Sequence, residues 1–153
     1  MIKRLFAQVV ETISMTETVT AEDREATLRL ATAVLMVDVA RADYVFEESE
    51  FDRVLKLIEG HFGLSPEQAA ELVNEAGAEA DELVDVHRFT TLLHEHLSDD
   101  EKARIVSLLW QIAFADGRLD KYEDSLVLKI SDLLYVSRGK VMQLKRDAEQ
   151  VAG

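Results

Sequence analysis

Residues 35–57 read LMVDVARADYVFEESEFDRVLKL, and residues 108–130 read LLWQIAFADGRLDKYEDSLVLKI. At this shift of 73 positions, eight of the 23 aligned pairs are identical, where chance would give about one or two at ordinary residue frequencies. The shift becomes 72 further along the chain, where the matching pairs are Ser65/Ser137, Leu72/Leu144 and Ala76/Ala148. The pattern predicts an internal repeat, over residues 21–79 and 99–151, that folds with pseudo-twofold symmetry.

The rest of the chain is typical of an all-α fold. Apolar residues recur at helical spacing, and only one Pro and six Gly interrupt them. Ser65 and Ser98 are each followed three residues later by Gln or Glu, the pattern of a capping box. We therefore predict a single domain over residues 1–153, a bundle of about eight helices. They are predicted near residues 2–14, 21–41, 47–62, 66–78, 80–97, 99–115, 120–135 and 138–151.

Two segments are apolar on nearly every side, Leu28–Ala42 and Ile105–Ala115. A helix without a polar face is normally buried, so we expect these two to be central in the bundle. Trp110 and Phe114 lie one turn apart in the second of them and are predicted to pack in the core.

Composition excludes several classes of function. The chain has no Cys, which rules out disulfides, Cys-ligated metals and thiol catalysis. Its net charge is −13, from 30 acidic and 17 basic residues, so its surface repels a phosphate backbone and nucleic acid is not an expected partner. No apolar run approaches the roughly 18 residues that a membrane span needs, so no membrane insertion is predicted and a cytoplasmic location is expected.

Acidic residues recur at relative positions 1, 5 and 8 of the turn that follows each central helix. We call these the acidic turns; their residues are Asp43, Glu47 and Glu50 in the first and Asp116, Asp120 and Glu123 in the second. The second matches the latter half of an EF-hand loop. The first half of that loop is absent, because Ile112 and Phe114 stand where two ligands should be. A standard EF-hand is therefore rejected.

Two interpretations of the acidic turns remain open. In the first, Asp120 and Glu123 cap the next helix and Gly117 ends the preceding one. In the second, the carboxylates hold a divalent cation such as Ca²⁺, Mg²⁺ or Zn²⁺. Asp116 follows a helix C-terminus, where the helix dipole disfavours an acid; a cation or an Asx turn would relieve it.

The motif Ala115-Asp-Gly-x-Leu-x-x-x-Glu123, after a buried helix and repeated within a short acidic chain, resembles the TerB-like (tellurite resistance) family. That family also includes the N-terminal part of certain membrane-anchored J-domain co-chaperones. The resemblance covers roughly residues 21–150. It implies an all-helical fold, a role in stress response, and metal binding at the six acidic residues named above. Tyr44 departs from the motif in the first copy.

No catalytic or cofactor-binding residue is predicted. None of the four His residues has an acid three positions before it, as a di-iron bundle requires, and His94 and His96 are expected on the surface. The leading hypothesis is a non-catalytic stress-response domain that binds a protein partner and is tuned by a divalent cation. A metal-dependent hydrolase using the same carboxylates is the alternative. A third hypothesis is a bundle whose exposed apolar groove receives a peptide helix. Partner identity and oligomeric state are not predicted.

Overall fold

The structure is a computed structural model, and it describes residues 21–42, 48–81, 87–114 and 119–152. Those residues form seven α-helices and no strand, which confirms the all-α prediction. The helices are α1 Ala21–Ala40, α2 Glu48–Phe62, α3 Pro66–Asp81, α4 His87–His96, α5 Asp99–Ala113, α6 Lys121–Leu133 and α7 Arg138–Ala152. The predicted helix at residues 2–14 lies outside the described residues. The predicted pseudo-twofold relation between the two halves stays a prediction.

Helix α1 is central, as its lack of a polar face predicts. From Leu30 to Ala40 every residue except Asp38 is buried. The helix packs most extensively on α3 and also contacts α2, α4, α5 and α6. Small side chains on the α1 and α3 surfaces, including Ala33 and Ala76, are fully buried. They allow the two backbones to approach closely, which maximises dispersion contacts.

Helix α5 is the second central element. It packs on α7 and α1 and also contacts α6 and α2. Trp110 is completely buried, and its Nε1–H donates a hydrogen bond to the Val141 carbonyl of α7 at 3.2 Å. The Phe114 ring lies 6.4 Å from the Trp110 ring, centroid to centroid. Both aromatic residues therefore belong to the core, as their one-turn spacing predicts.

The two predicted capping boxes are both present. The Gln68 N–H donates to Ser65 Oγ at 3.2 Å, and the Ser65 N–H donates to Gln68 Oε1 at 3.0 Å. Ser98 and Glu101 make the same reciprocal pair, at 3.2 and 3.0 Å. Each box satisfies donors that the first turn of a helix would leave unpaired, which explains why α3 and α5 begin where they do.

The predicted boundary between helices at residue 79 is wrong. Helix α3 continues to Asp81, and α4 begins at His87. The last turn of α3 is held by Arg41, which pairs with Asp81 and donates a hydrogen bond to the Gly77 carbonyl at 3.4 Å. Glu79 and Ala80 are buried in this turn. The helix is thus extended by contacts with the distant end of α1, which local sequence does not report.

Within the part of the chain that the structure describes, no helix has the length and apolar character to cross a membrane.

Candidate functional site

The second acidic turn leads into α6, and Asp120 is the N-cap of that helix. Its backbone is extended, and its Oδ1 accepts a hydrogen bond from the Tyr122 N–H at 2.7 Å. A carboxylate here pairs an otherwise unsatisfied donor and interacts favourably with the positive end of the helix dipole. The structure therefore confirms that Asp120 has the capping role that its position predicts, and metal binding at Asp120 stays a prediction.

Glu123 lies at the third position of the same helix and is buried, with 4% of its surface exposed. Carboxylates are rarely buried to this extent, because the charged form loses its hydration. The next residue, Asp124, is half-buried and forms an ion pair with Lys145 of α7 at 2.8 Å. The start of α6 thus carries two carboxylates withdrawn from solvent, Glu123 and Asp124, beside the cap.

The remaining predicted ligands are not placed by the structure. Asp43, Glu47 and Asp116 lie outside the described residues, and Glu50 contributes only its backbone, in the first turn of α2. Among the side chains that are described, no three His, Asp or Glu residues come together in an arrangement that could hold a metal ion. Of the six predicted ligands, the structure thus describes the side chains of Asp120 and Glu123.

Near the first acidic turn, the end of α1 has a mixed electrostatic environment. Burial raises the pKa of Asp38 above its usual value, while the nearby charges of Arg41 and Lys129 oppose that rise. Arg41 is itself engaged with Asp81. The end of α1 therefore holds one partly buried carboxylate, Asp38, within the influence of two cations.

Two helix ends that correspond at a shift of 72 have the same backbone geometry. After α2, Gly63 has φ 65° and the Leu64 N–H donates to the Glu59 carbonyl at 3.2 Å. After α6, Tyr135 has φ 61° and the Val136 N–H donates to the Ser131 carbonyl at 3.1 Å. Both are Schellman motifs, which require a left-handed residue and normally use Gly.

A tyrosine at positive φ is unusual, because a bulky side chain is disfavoured there. The Tyr135 side chain is also 75% exposed, so core packing does not explain its presence. Its one described ring partner is His94 of α4, at 4.4 Å between centroids. Tyr135 therefore presents a large aromatic surface to solvent from a backbone position that would suit Gly better.

Tyr135 belongs to a cluster of side chains, with His94 and Lys102, that the sequence did not predict. His94 is half-buried and not on the open surface as predicted, and its Nδ1 lies 2.6 Å from the Nζ of the buried Lys102. His96, also predicted at the surface, is half-buried as well. The three residues His94, Lys102 and Tyr135 come from α4, α5 and the end of α6. No spacing along the sequence connects these residues. The one sequence feature that could have drawn attention to them is the alignment of Tyr135 with Gly63 in the repeat.

The two left-handed positions allow a matched pair of substitutions. We expect Gly63→Ala to destabilise the domain by about 1 kcal/mol, because Ala is strained at positive φ. We expect Tyr135→Gly to change the stability by no more than about 0.5 kcal/mol, because relief of the same strain offsets the lost ring contact and the added chain entropy. Urea unfolding followed by circular dichroism measures both. A loss above about 2 kcal/mol for Tyr135→Gly would show that the ring is retained for stability.

Comparison with known proteins gives one result. The family model described as "Tellurite resistance protein TerB" matches residues 29–146, a range that contains α2 to α6, most of α1 and α7, and both acidic turns. No curated protein and no solved structure matches the chain. The match covers well over half of the sequence and agrees with the resemblance carried by the acidic-turn motif. The chain therefore belongs to the TerB family of tellurite resistance proteins.

Proposed function

We propose that this chain is a non-catalytic TerB domain that acts in a tellurite resistance-related stress response by binding a protein partner, and that a divalent cation at the acidic turns tunes it. The observation that carries the proposal is the family match over residues 29–146, which includes both acidic turns. We further propose that the two acidic turns, with the helices around them, are copies of one repeated helical unit. Nothing in the described residues favours the hydrolase alternative.

The start of α6 supports the cation half of the proposal. Asp120 and the buried Glu123 are one turn apart on the same helix end, and Asp116 precedes Asp120 by four residues in the sequence. Oxygen ligands of this kind suit hard cations such as Ca²⁺ and Mg²⁺.

Tyr135 supports the partner half of the proposal. Exposed aromatic side chains are enriched among the residues that contribute most to protein interfaces. Tyr135 occupies a strained position, is largely exposed, and is held by His94. A side chain retained under strain without a large packing role is best explained by contact with another molecule.

The cation is tested by calorimetric titration of chelator-stripped protein with Ca²⁺, Mg²⁺ and Zn²⁺. We expect saturable binding of at least one ion, with thermal stability rising by about 2.7 kcal/mol at a cation concentration of 100 Kd. Asp116→Asn and Asp120→Asn should abolish the binding. The second variant is informative because Asn is as good an N-cap as Asp, so the helix start is preserved.

Asp147→Asn is the matched control, since it removes one carboxylate from an exposed position on α7. It should bind the cation as the unmodified protein does. If none of the three ions binds, or if Asp147→Asn loses binding as the other variants do, Asp120 and Glu123 have a purely structural role.

A further inference from the structure

A cavity of about 290 Å³ opens between the N-terminal half of α1, the end of α2 and the start of α5. We call it the arginine cavity. Its polar lining includes Arg29 of α1, Arg104 of α5 and His61 of α2, and its apolar lining includes Leu28, Phe62 and Ile105. None of its lining residues belongs to either acidic turn. We propose that the arginine cavity binds a small oxyanion, held by the guanidinium groups of Arg29 and Arg104 beside the His61 ring.

Arg29 is placed for this role by its surroundings. Its side chain is only 26% exposed, and its guanidinium carbon lies 5.9 Å from the centre of the Phe62 ring. Its Nε is buried and has no hydrogen-bond partner among the described residues. A buried donor without an acceptor is costly, and an oxyanion oxygen would satisfy it. The planar guanidinium offers paired donors that match such an anion.

Arginine side chains gather in and beside the cavity although the whole chain carries a net charge of −13. Arg104 lies near enough to His61 to lower the pKa of that ring, adding to the larger effect of partial burial. Arg24 extends the cluster, because it donates to the His96 carbonyl at 3.3 Å and, with Arg104, helps to lower the pKa of Glu101. Three arginines thus gather at one place on an acidic surface.

Two carboxylates, Glu25 and Glu101, also line the cavity. Glu25 is 69% exposed, and its Oε1 lies 3.5 Å from a guanidinium nitrogen of Arg29, which is longer than a strong charge-assisted hydrogen bond. Glu101 is directed to the helix start, where its Oε1 accepts the Ser98 N–H at 3.0 Å. That hydrogen bond is the main reason for the lowered pKa of Glu101. The guanidinium groups therefore remain the principal charged donors available to a ligand.

The size of the cavity restricts the ligand. A volume of about 290 Å³ is at the lower limit for small-molecule sites. The lining combines aliphatic and aromatic surface with two cations, which suits an anion of a few heavy atoms such as phosphate or tellurite. Both present several oxygens to a pair of guanidinium groups, so chemistry alone does not separate them, and the experiment uses both.

The test is an NMR titration of the full chain with sodium phosphate and, separately, sodium tellurite, at constant ionic strength set with sodium chloride. We expect saturable shifts at His61, and a rise in the pKa of His61, with at least one of the two anions. Arg29→Gln and Arg104→Gln should each weaken the affinity about tenfold or more, because each removes a charge-assisted hydrogen bond. Arg146→Gln, on the exposed face of α7, is the matched control and should leave the affinity unchanged.

Each outcome decides the proposal. Saturable binding of phosphate alone or of tellurite alone supports an oxyanion site and identifies which of the two anions it prefers. Shifts that grow without saturation, or affinities equal in all three variants, overturn it. Arg104 is exposed, so Arg104→Gln remains informative if Arg29→Gln does not fold. Cation titration of Arg104→Gln should match that of the unmodified protein, so failure here and failure at the acidic turns are distinguishable.

Discussion

Replacing Trp110 by Ala is expected to destabilise the domain by about 3–5 kcal/mol, the usual cost of removing a large aromatic side chain from a core. Trp110 is fully buried at the interface between α5 and α7. Its Nε1–H bonds to the Val141 carbonyl, and the Lys145 ammonium lies 5.3 Å from the centre of its ring. The substitution leaves a cavity, removes the hydrogen bond from Trp110 to α7, and leaves a cation without its aromatic partner.

Urea unfolding followed by far-UV circular dichroism measures this loss without depending on tryptophan fluorescence. Trp110→Phe keeps most of the apolar surface but removes the hydrogen bond, and should cost about 1–3 kcal/mol. Tyr122→Ala is the control, because Tyr122 is about half exposed at the start of α6; it should change stability by less than about 0.5 kcal/mol. A loss below about 1.5 kcal/mol for Trp110→Ala would contradict the packing of α7 on α5.

Replacing Val34 by Asp is expected to prevent stable folding. Val34 is completely buried in α1, which is enclosed by five other helices. An unpaired carboxylate there would have to lose its hydration or take up a proton, and either costs several kcal/mol. Because small domains are stable by only about 5–15 kcal/mol, we expect a loss of more than about 4 kcal/mol or a largely unfolded chain.

The control for this substitution lies on the same helix. Ala26 is exposed in the first two turns of α1, so Ala26→Asp introduces the same charge into solvent, near the positive end of the helix dipole. Its stability should stay within about 0.5 kcal/mol of the unmodified protein. Circular dichroism and size-exclusion chromatography measure both variants. A folded Val34→Asp protein of normal stability would show that α1 has an accessible face.

Local features of the fold were predictable from sequence because their causes are local. Ser65 with Gln68, and Ser98 with Glu101, define helix starts through hydrogen bonds that span three residues. The apolar runs of α1 and α5 predict burial, since no rotation of such a helix presents a polar face to water. Asp120 is likewise a cap for a reason contained in its own turn.

Features that depend on distant residues were not predictable in this way. The extension of α3 to Asp81 depends on Arg41, which reaches it from the end of α1. His94 was expected at the surface, but Lys102 and Tyr135 approach it from other helices. The positive φ of Tyr135 could not be predicted from the sequence either, because tyrosine does not favour the left-handed conformation.

The candidate sites also differ in whether they depend on neighbouring residues or on residues that are distant in the sequence. The family, the central helices, the starts of α3 and α5, and the acidic turns could be predicted from the sequence, because each depends on neighbouring residues or on their repetition at a shift of 73. The burial of Glu123, and the position of Arg29, His61 and Arg104 around one cavity, depend instead on how the helices pack. These three residues belong to three different helices, and packing of helices, rather than spacing along any one of them, determines which side chains meet.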